Sequence, residues 1–455
     1  MLKPSVVKEL KKIVGADHLL VSPEELIVYS YDATRRESLP WAVARPASAA
    51  EVSAILALAN RELFPVVPRG AGTGMSGGSI PVRAGVVLSL ERMNSILEID
   101  EQDLIAVVEP GVVTGDLQQE VESRGLFYPP DPASHRFCTI GGNIAECAGG
   151  LRAVKYGVTR DYVLGLDVVL PTGELVRTGA RTLKSVAGYD LTRLIVGSEG
   201  TLGIATRIIL RLLPLPESVR TLSAFFGTVE GAASAASAVI AKRIVPRALE
   251  FVDQAALRAV EGYLKEDLSG GAAAMLIVEV DGPSELTERE IALVEQVMNA
   301  CGATRIVRAG TEAERERIWK ARRSLSPALY TIKPKKLNED IVVPRSRIPD
   351  ILLAINGIAA KYGLLIVNFG HAGDGNIHAN VMVDDSELEK GRAAVREIFQ
   401  ETLRLGGSIS GEHGIGLAKS EYLPMELGPA TINAMQKIKQ ALDPNNVLNP
   451  GKIFL

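Results

Sequence analysis

Apolar positions near the start of the chain recur at helical spacing, with Val6, Val7, Leu10, Ile13 and Val14 on one stripe. Ser22-Pro23-Glu24-Glu25 follows as a helix start, so residues 3–35 are expected to be helical. From Trp41 to about Pro214 the texture changes to short β-rich runs punctuated by glycine. Strands are predicted at 65–68, 85–90, 105–108 and 166–170, with helices at 48–60 and 114–124. Pro214-Leu215-Pro216 marks a boundary. Beyond it strands at 219–226, 246–252 and 273–281 alternate with helices at 228–242, 253–264 and 285–300. That rhythm implies a layered sandwich of the ferredoxin-like kind. A helical tail over 421–442 is broken by Asp443-Pro444-Asn445-Asn446. The expected class is α+β, divided into 1–36, 37–214, 215–420 and 421–455.

Length and composition narrow the field. At roughly 150 residues per domain, 455 residues make about three structural units or two large ones. Lys and Arg number 50 against 54 Asp and Glu, a net charge of −4, which leaves no basic excess for nucleic acid. The three cysteines, Cys138, Cys147 and Cys301, form no CxxC pair. A disulfide framework, a cysteine-rich zinc site and an iron–sulfur cluster held by this chain alone are therefore excluded. Lys8, Lys11 and Lys12 interrupt any apolar leader, and no apolar run approaches the ~18 residues of a spanning helix. A cytoplasmic protein is expected.

Glycine is densest in Pro68-Arg69-Gly70-Ala71-Gly72-Thr73-Gly74-Met75-Ser76-Gly77-Gly78-Ser79. Such a loop lets backbone N–H groups converge on phosphate oxygens. A nicotinamide-binding turn would open a helix, whereas Ile80 to Gly85 lead toward another strand, and no Gly-Lys-Ser/Thr follows. Two further close-approach segments, 130–145 and Gly197–Ile204, suit an extended ligand such as a dinucleotide, although three ordinary tight turns would read the same way.

Three of the five histidines fall between 371 and 413. Strand-like 364–369 and 377–383 flank Asp374-Gly375, a favoured two-residue turn. With those two residues in the turn, His371 sits directly opposite His378, their Cβ atoms about 5 Å apart. Asn380 shares the face of His378. Glu412-His413 could add a carboxylate and an imidazole, and two His plus one Glu with an open position is a catalytic metal set. Arg322 lies in 312–323, a stretch so charged that the residues alone favour a solvated helix face.

The loop 68–79, the stretch 130–150, Lys184-Ser185-Val186-Ala187-Gly188-Tyr189-Asp190, Gly197–Ile204 and Asn449-Pro450-Gly451-Lys452 resemble flavoproteins of the vanillyl-alcohol-oxidase type. The matching branch contains the glycolate oxidase FAD subunit, D-lactate dehydrogenase and D-2-hydroxyglutarate dehydrogenase. The resemblance runs from about residue 40 to the C-terminus. It implies a two-part FAD-binding domain, a ferredoxin-like substrate (cap) domain and a C-terminal segment returning to the FAD domain.

By position, it implies that Arg69, Gly70, Ala71, Gly72, Thr73, Gly74, Ser76 and Gly77 cradle the FAD pyrophosphate. Pro132, Ser134, Thr139, Gly142, Asn143 and Ala145 would line the isoalloxazine and ribityl region. Gly200 and Ile204 would hold the adenine side, and Asn449 would approach the flavin. The first loop has no histidine, so FAD should be non-covalent. His371, His378 and Glu412 match the ligands of one divalent ion (zinc, manganese or iron), His413 the base, and Arg322 the grip on the substrate carboxylate. Asn380 completes the expected substrate contacts.

The implied reaction is oxidation of a D-2-hydroxyacid to the 2-oxoacid, with hydride passing to flavin. Hydroxyglutarate-type members carry a lysine just before the strand aspartate matching Asp340; that position here aligns with Asn338, which argues for a monocarboxylate such as glycolate or D-lactate. Lys335 and Lys336 lie close enough to keep a D-2-hydroxyglutarate dehydrogenase as the alternative, beside a non-catalytic flavoprotein subunit of a larger complex. The resemblance leaves room for an iron–sulfur subunit or a quinone as acceptor, for a homodimer, and for peripheral membrane association through a partner.

Overall fold

Valines and leucines that are apolar on both sides of a strand need cover on both faces, and the first unit supplies it. The computed structural model describes residues 2–454. These divide into two units, one built from residues up to Gly149, Val158–Leu215 and Glu412 onward, the other from Gly150–Gly157 and Pro216–Gly411. In the first, Ala42–Ala44, Val86–Ser89 and Val66–Arg69 run parallel, and Leu19–Leu20 joins antiparallel at the edge. Helices Pro4–Val14 and Ala49–Glu62 bury Leu10, Val14, Ile55 and Leu56 in the same core as Val66, Val86 and Leu88. The glycine loop leaves the C-terminal end of Val66–Arg69, the end of a parallel strand where ligands commonly sit. A five-stranded antiparallel sheet accompanies it, in the order Ile96–Asp100, Ile105–Val108, Ile204–Arg211, Val163–Val169, Leu175–Gly179.

Three sequence expectations need adjusting. The helical stretch over 3–35 is interrupted: Pro4–Val14 ends at Gly15 (φ +88°), Leu19–Leu20 pairs with Val43 and Ala44, and the helix start at Ser22-Pro23 opens a short helix, Pro23–Ile27. The tail over 421–442 is divided, because Leu427-Gly428 separates Leu423–Glu426 from Pro429–Leu442. The return to the first unit comes at Glu412 rather than 421: Leu417 N–H donates to Ser76 O (2.7 Å), and the tail docks where Val66 N–H meets Val447 O (2.8 Å). Residues 150–157 leave the first unit because Lys155 and Tyr156 both bond the buried carboxylate of Asp281.

The second unit is one antiparallel sheet. Its strands are β1 (Ser218–Phe226), β2 (Ala248–Asp253), β3 (Ala274–Gly282), β4 (Ala303–Arg308), β5 (Lys335–Val342), β6 (Leu365–His371) and β7 (Asn376–Val383). They lie in the order β4-β1-β3-β2-β6-β7-β5, so the sandwich extends from the four strands of a ferredoxin-like unit to seven. Register sets which side chains share a face. One row runs Ser223, Ile277, Glu250, His371, and the next runs Phe225, Met275, Val252, Phe369, His378, Asp340. Helices α1 (Gln254–Leu264), α2 (Glu312–Arg323) and α3 (Leu325–Leu329) cover this face, packing Val260, Trp319 and Leu325 on Phe225, Met275 and Phe369.

The hairpin between β6 and β7 corrects the expected register. Four residues, 372–375, form the turn, so His371 faces Asn376 and His378 faces Phe369. The wider turn is closed by Gly375 N–H donating to His371 O (3.1 Å), while Gly373 N–H reaches out to Leu249 O on β2. A shift of two residues leaves both imidazoles on the same face, now as diagonal neighbours.

Gly375 holds φ +94°, and a Cβ there would enter the carbonyl oxygen of Val343. Gly375→Ala is therefore expected to cost about 2 kcal/mol or more, read in scanning calorimetry as a melting temperature several degrees lower.

Candidate active site

In the first unit, three close-approach segments meet along one open cleft. Gly70 lies so near Thr139 and Gly142 that a side chain there would overlap Thr139 Oγ1. Thr139 in turn caps the helix Ile140–Glu146, its Oγ1 accepting from Gly142 N–H. The third segment is tied to that helix by Gly197 N–H to Ile144 O (2.8 Å) and Glu199 N–H to Ala145 O (2.7 Å). Asn449 Nδ2 fastens the first segment to the third, donating to Gly78 O and Glu199 O (2.9 Å each).

Among the sequence-predicted cofactor residues, Arg69 to Gly74, Pro132, Ser134, Thr139, Gly142, Asn143, Ala145, Gly200 and Ile204 line this cleft, as do Glu412 and His413. Ser76, Gly77 and Asn449 stand outside the lining. Ser76 is fully buried behind it, donating to Glu146 Oε1, and Asn449 braces the walls. The motif Lys184–Asp190 lies at the surface, with Val186 and Tyr189 almost wholly exposed.

Sequence reasoning missed the acids of this cleft, Asp32, Glu146 and Glu199. Glu199 Oε1 accepts from Ile415 N–H (2.8 Å), but burial dominates and pushes its pKa up to about 7 against the pull of the Ile415 and Gly416 amides. Burial likewise raises Asp32 and brings Lys452 down to about 8. An acid flanked by glycines in Gly197-Ser198-Glu199-Gly200 was the available signal.

The second unit gathers a different set. The His371 and His378 rings lie edge to face with centroids 5.4 Å apart, both nearly buried. Glu250, with no exposure, receives His371 Nδ1 at 2.6 Å on Oε1 and Arg322 Nε at 2.8 Å on Oε2. Arg322 is buried with its guanidinium 4.9 Å from the Phe369 ring centroid, whereas its neighbour Arg323 is paired with Glu316 at the surface. Asn380 is fully buried, its amide donating to Val367 O and His378 O (3.1 Å each). Asp340, opposite His378, accepts from Gly411 N–H (2.9 Å on Oδ2), the residue that precedes Glu412 in the chain. Glu250 was also missed, though a lone acid inside Ala248-Leu249-Glu250-Phe251-Val252 is a buried-charge signal. The donor set fits a metal: with Nδ1 of His371 held by a carboxylate, Nε2 keeps its lone pair for an ion.

Because the native pKa of Glu199 (about 7) exceeds its ordinary 4.5, the folded state holds a proton that the unfolded chain releases between those values. Stability contributed here falls as pH rises through that window, by up to roughly 3 kcal/mol. Glu199→Gln should flatten this fall, so its melting temperature relative to the parent protein should be higher at pH 8 than at pH 5.

Comparison with known proteins agrees with this architecture. The model of the FAD binding domain matches residues 40–179, and that of the C-terminal domain of FAD linked oxidases matches 215–453. Glycolate oxidase subunit GlcD of Bacillus subtilis is 48% identical, over 100% of this chain and 97% of that protein. The D-lactate dehydrogenase of Anaerostipes hadrus is 37% identical, over 99% of this chain and 97% of that protein. Among solved structures, p-cresol methylhydroxylase shares the fold, with a TM-score of 0.82 at 20% identity, covering 99% of this chain and 96% of its own. The chain belongs to the FAD-linked oxidases.

Proposed function

We propose that this enzyme oxidises a short 2-hydroxyacid of the glycolate or D-lactate class to the 2-oxoacid, with non-covalent FAD and one divalent ion. The observation that carries the reading is the buried imidazole pair on the face that also holds Arg322. Relatives called glycolate oxidase subunit and D-lactate dehydrogenase, alike over nearly their whole length, point the same way. When bound, FAD takes up the two electrons and the C2 hydrogen of the substrate as a hydride. The cleft's fit to FAD rests on the three segments that line it and on Gly70, Gly72 and Gly74, where no Cβ stands between amides and phosphate oxygens.

His371, His378 and Glu412 would hold the ion, whose positive charge lowers the pKa of the substrate hydroxyl. Arg322 grips the substrate carboxylate with the guanidinium edge that Glu250 leaves free. The His413 imidazole accepts the hydroxyl proton. Asn338, which stands across from Asn380, takes the place of the lysine of hydroxyglutarate-type members, and this favours a monocarboxylate. The acceptor of the electrons would be an iron–sulfur partner or a quinone, in keeping with a relative described as a subunit.

Anaerobic titration of the purified protein with glycolate, D-lactate and D-2-hydroxyglutarate tests this directly. The first two should bleach the flavin band, and chelation should abolish the bleaching while FAD stays bound. Bleaching that survives complete metal removal would dismiss the assigned ligands. His378→Ala should lose at least 100-fold in turnover with its flavin content kept, and Arg322→Met should raise KM 10-fold or more.

A further inference from the structure

A carboxylate without solvent exposure is costly unless every oxygen is answered, and Glu250 is answered on both sides. Oε2 takes Nε and Nη2 of Arg322 (2.8 and 2.6 Å), and Oε1 takes Nδ1 of His371 (2.6 Å). Paired with a guanidinium, the carboxylate accepts rather than donates, so the proton on His371 belongs to Nδ1 and the Nε2 lone pair is turned outward. The same anion holds two N–H groups of Arg322, with Phe369 beneath the guanidinium, leaving Nη1 as the open edge. Glu250 reaches both because β2 lies between β3 and β6, which places it beside His371 in one row of the sheet.

We propose that Glu250 is a positioning residue that couples the metal-binding and substrate-binding halves of the site: it fixes the tautomer and orientation of His371 and, through its other oxygen, the aim of Arg322. The inference rests on the metal and carboxylate roles proposed above. Its consequence is that one substitution should damage two functions normally separable. A glutamine of the same shape has one accepting oxygen, so either His371 or Arg322 must face an amide N–H.

The test compares the parent protein with Glu250→Gln, both stripped by chelation with FAD retained, by calorimetric titration with Zn²⁺ and with Mn²⁺. Glu250→Gln is expected to bind the ion 10–100-fold more weakly and to raise the KM for the oxidised hydroxyacid, with flavin content unchanged. Unchanged ion affinity and KM, with only a lower melting temperature, would overturn the coupling and leave the functional reading intact. A parent protein that binds neither ion would overturn the reading itself, and the proposal with it. If Glu250→Gln does not fold, nitrogen-15 shifts of His371 in the parent protein decide: an Nδ1–H tautomer is expected, and an Nε2–H tautomer refutes the role.

Discussion

One buried negative charge organises the second unit. Glu250 sits in a strand between apolar neighbours, Ala248 and Leu249 on one side and Phe251 and Val252 on the other, and among the described residues Arg322 and His371 meet its need for hydrogen-bond donors. Removing Arg322 would leave the charge uncompensated, a loss of about 3–5 kcal/mol in comparable buried pairs, and removing His371 would leave Oε1 without its donor. The helix carrying Arg322 and the strand carrying His371 are thus bound to the same point of the sheet. Precision at the candidate site follows from an electrostatic requirement of the core.

The first unit meets its constraint differently, through steric absence. Gly70 allows one loop to lie on the cap of a helix, and amides at 197 and 199 close on that helix's last carbonyls. The cleft this leaves is lined by two acids whose charge is opposed by burial, Asp32 and Glu199. An acid held near neutrality beside a site expected to receive a diphosphate adds less repulsion than a full charge would.

How much of this was legible follows physical lines. Glycine density marks places where backbone must come close, so the three cleft segments could be read locally. The six elements read between 219 and 300 followed from periodicity to within a few residues, whereas the strands Ala303–Arg308 and Lys335–Val342 and the helices Ile348–Tyr362 and Leu388–Arg404 were not read. Asp374-Gly375 suggested a two-residue turn, yet tertiary bonds from Gly373 to Leu249 and from Gly375 to His371 widened it. His371 and His378 kept a common face only because the error was even. Which of Arg322 and Arg323 turns inward, and that Glu250 joins Arg322 to His371, depend on pairings between strands far apart in sequence. Position 199 shows the same limit: its neighbours announce a tight turn, but its raised pKa comes from burial by the fold, against the opposing pull of the amides at 415 and 416.

The brace at Asn449 has a consequence in time. It bonds Gly78, a residue 371 positions earlier, and Val447 extends the sheet beside Val66. Contacts of such separation form slowly and late. A chain still emerging from the ribosome can shape the glycine loop but cannot fasten it, so durable capture of the dinucleotide must follow synthesis of this stretch. Cells short of the cofactor would then accumulate full-length chains with an open cleft, ready to be loaded.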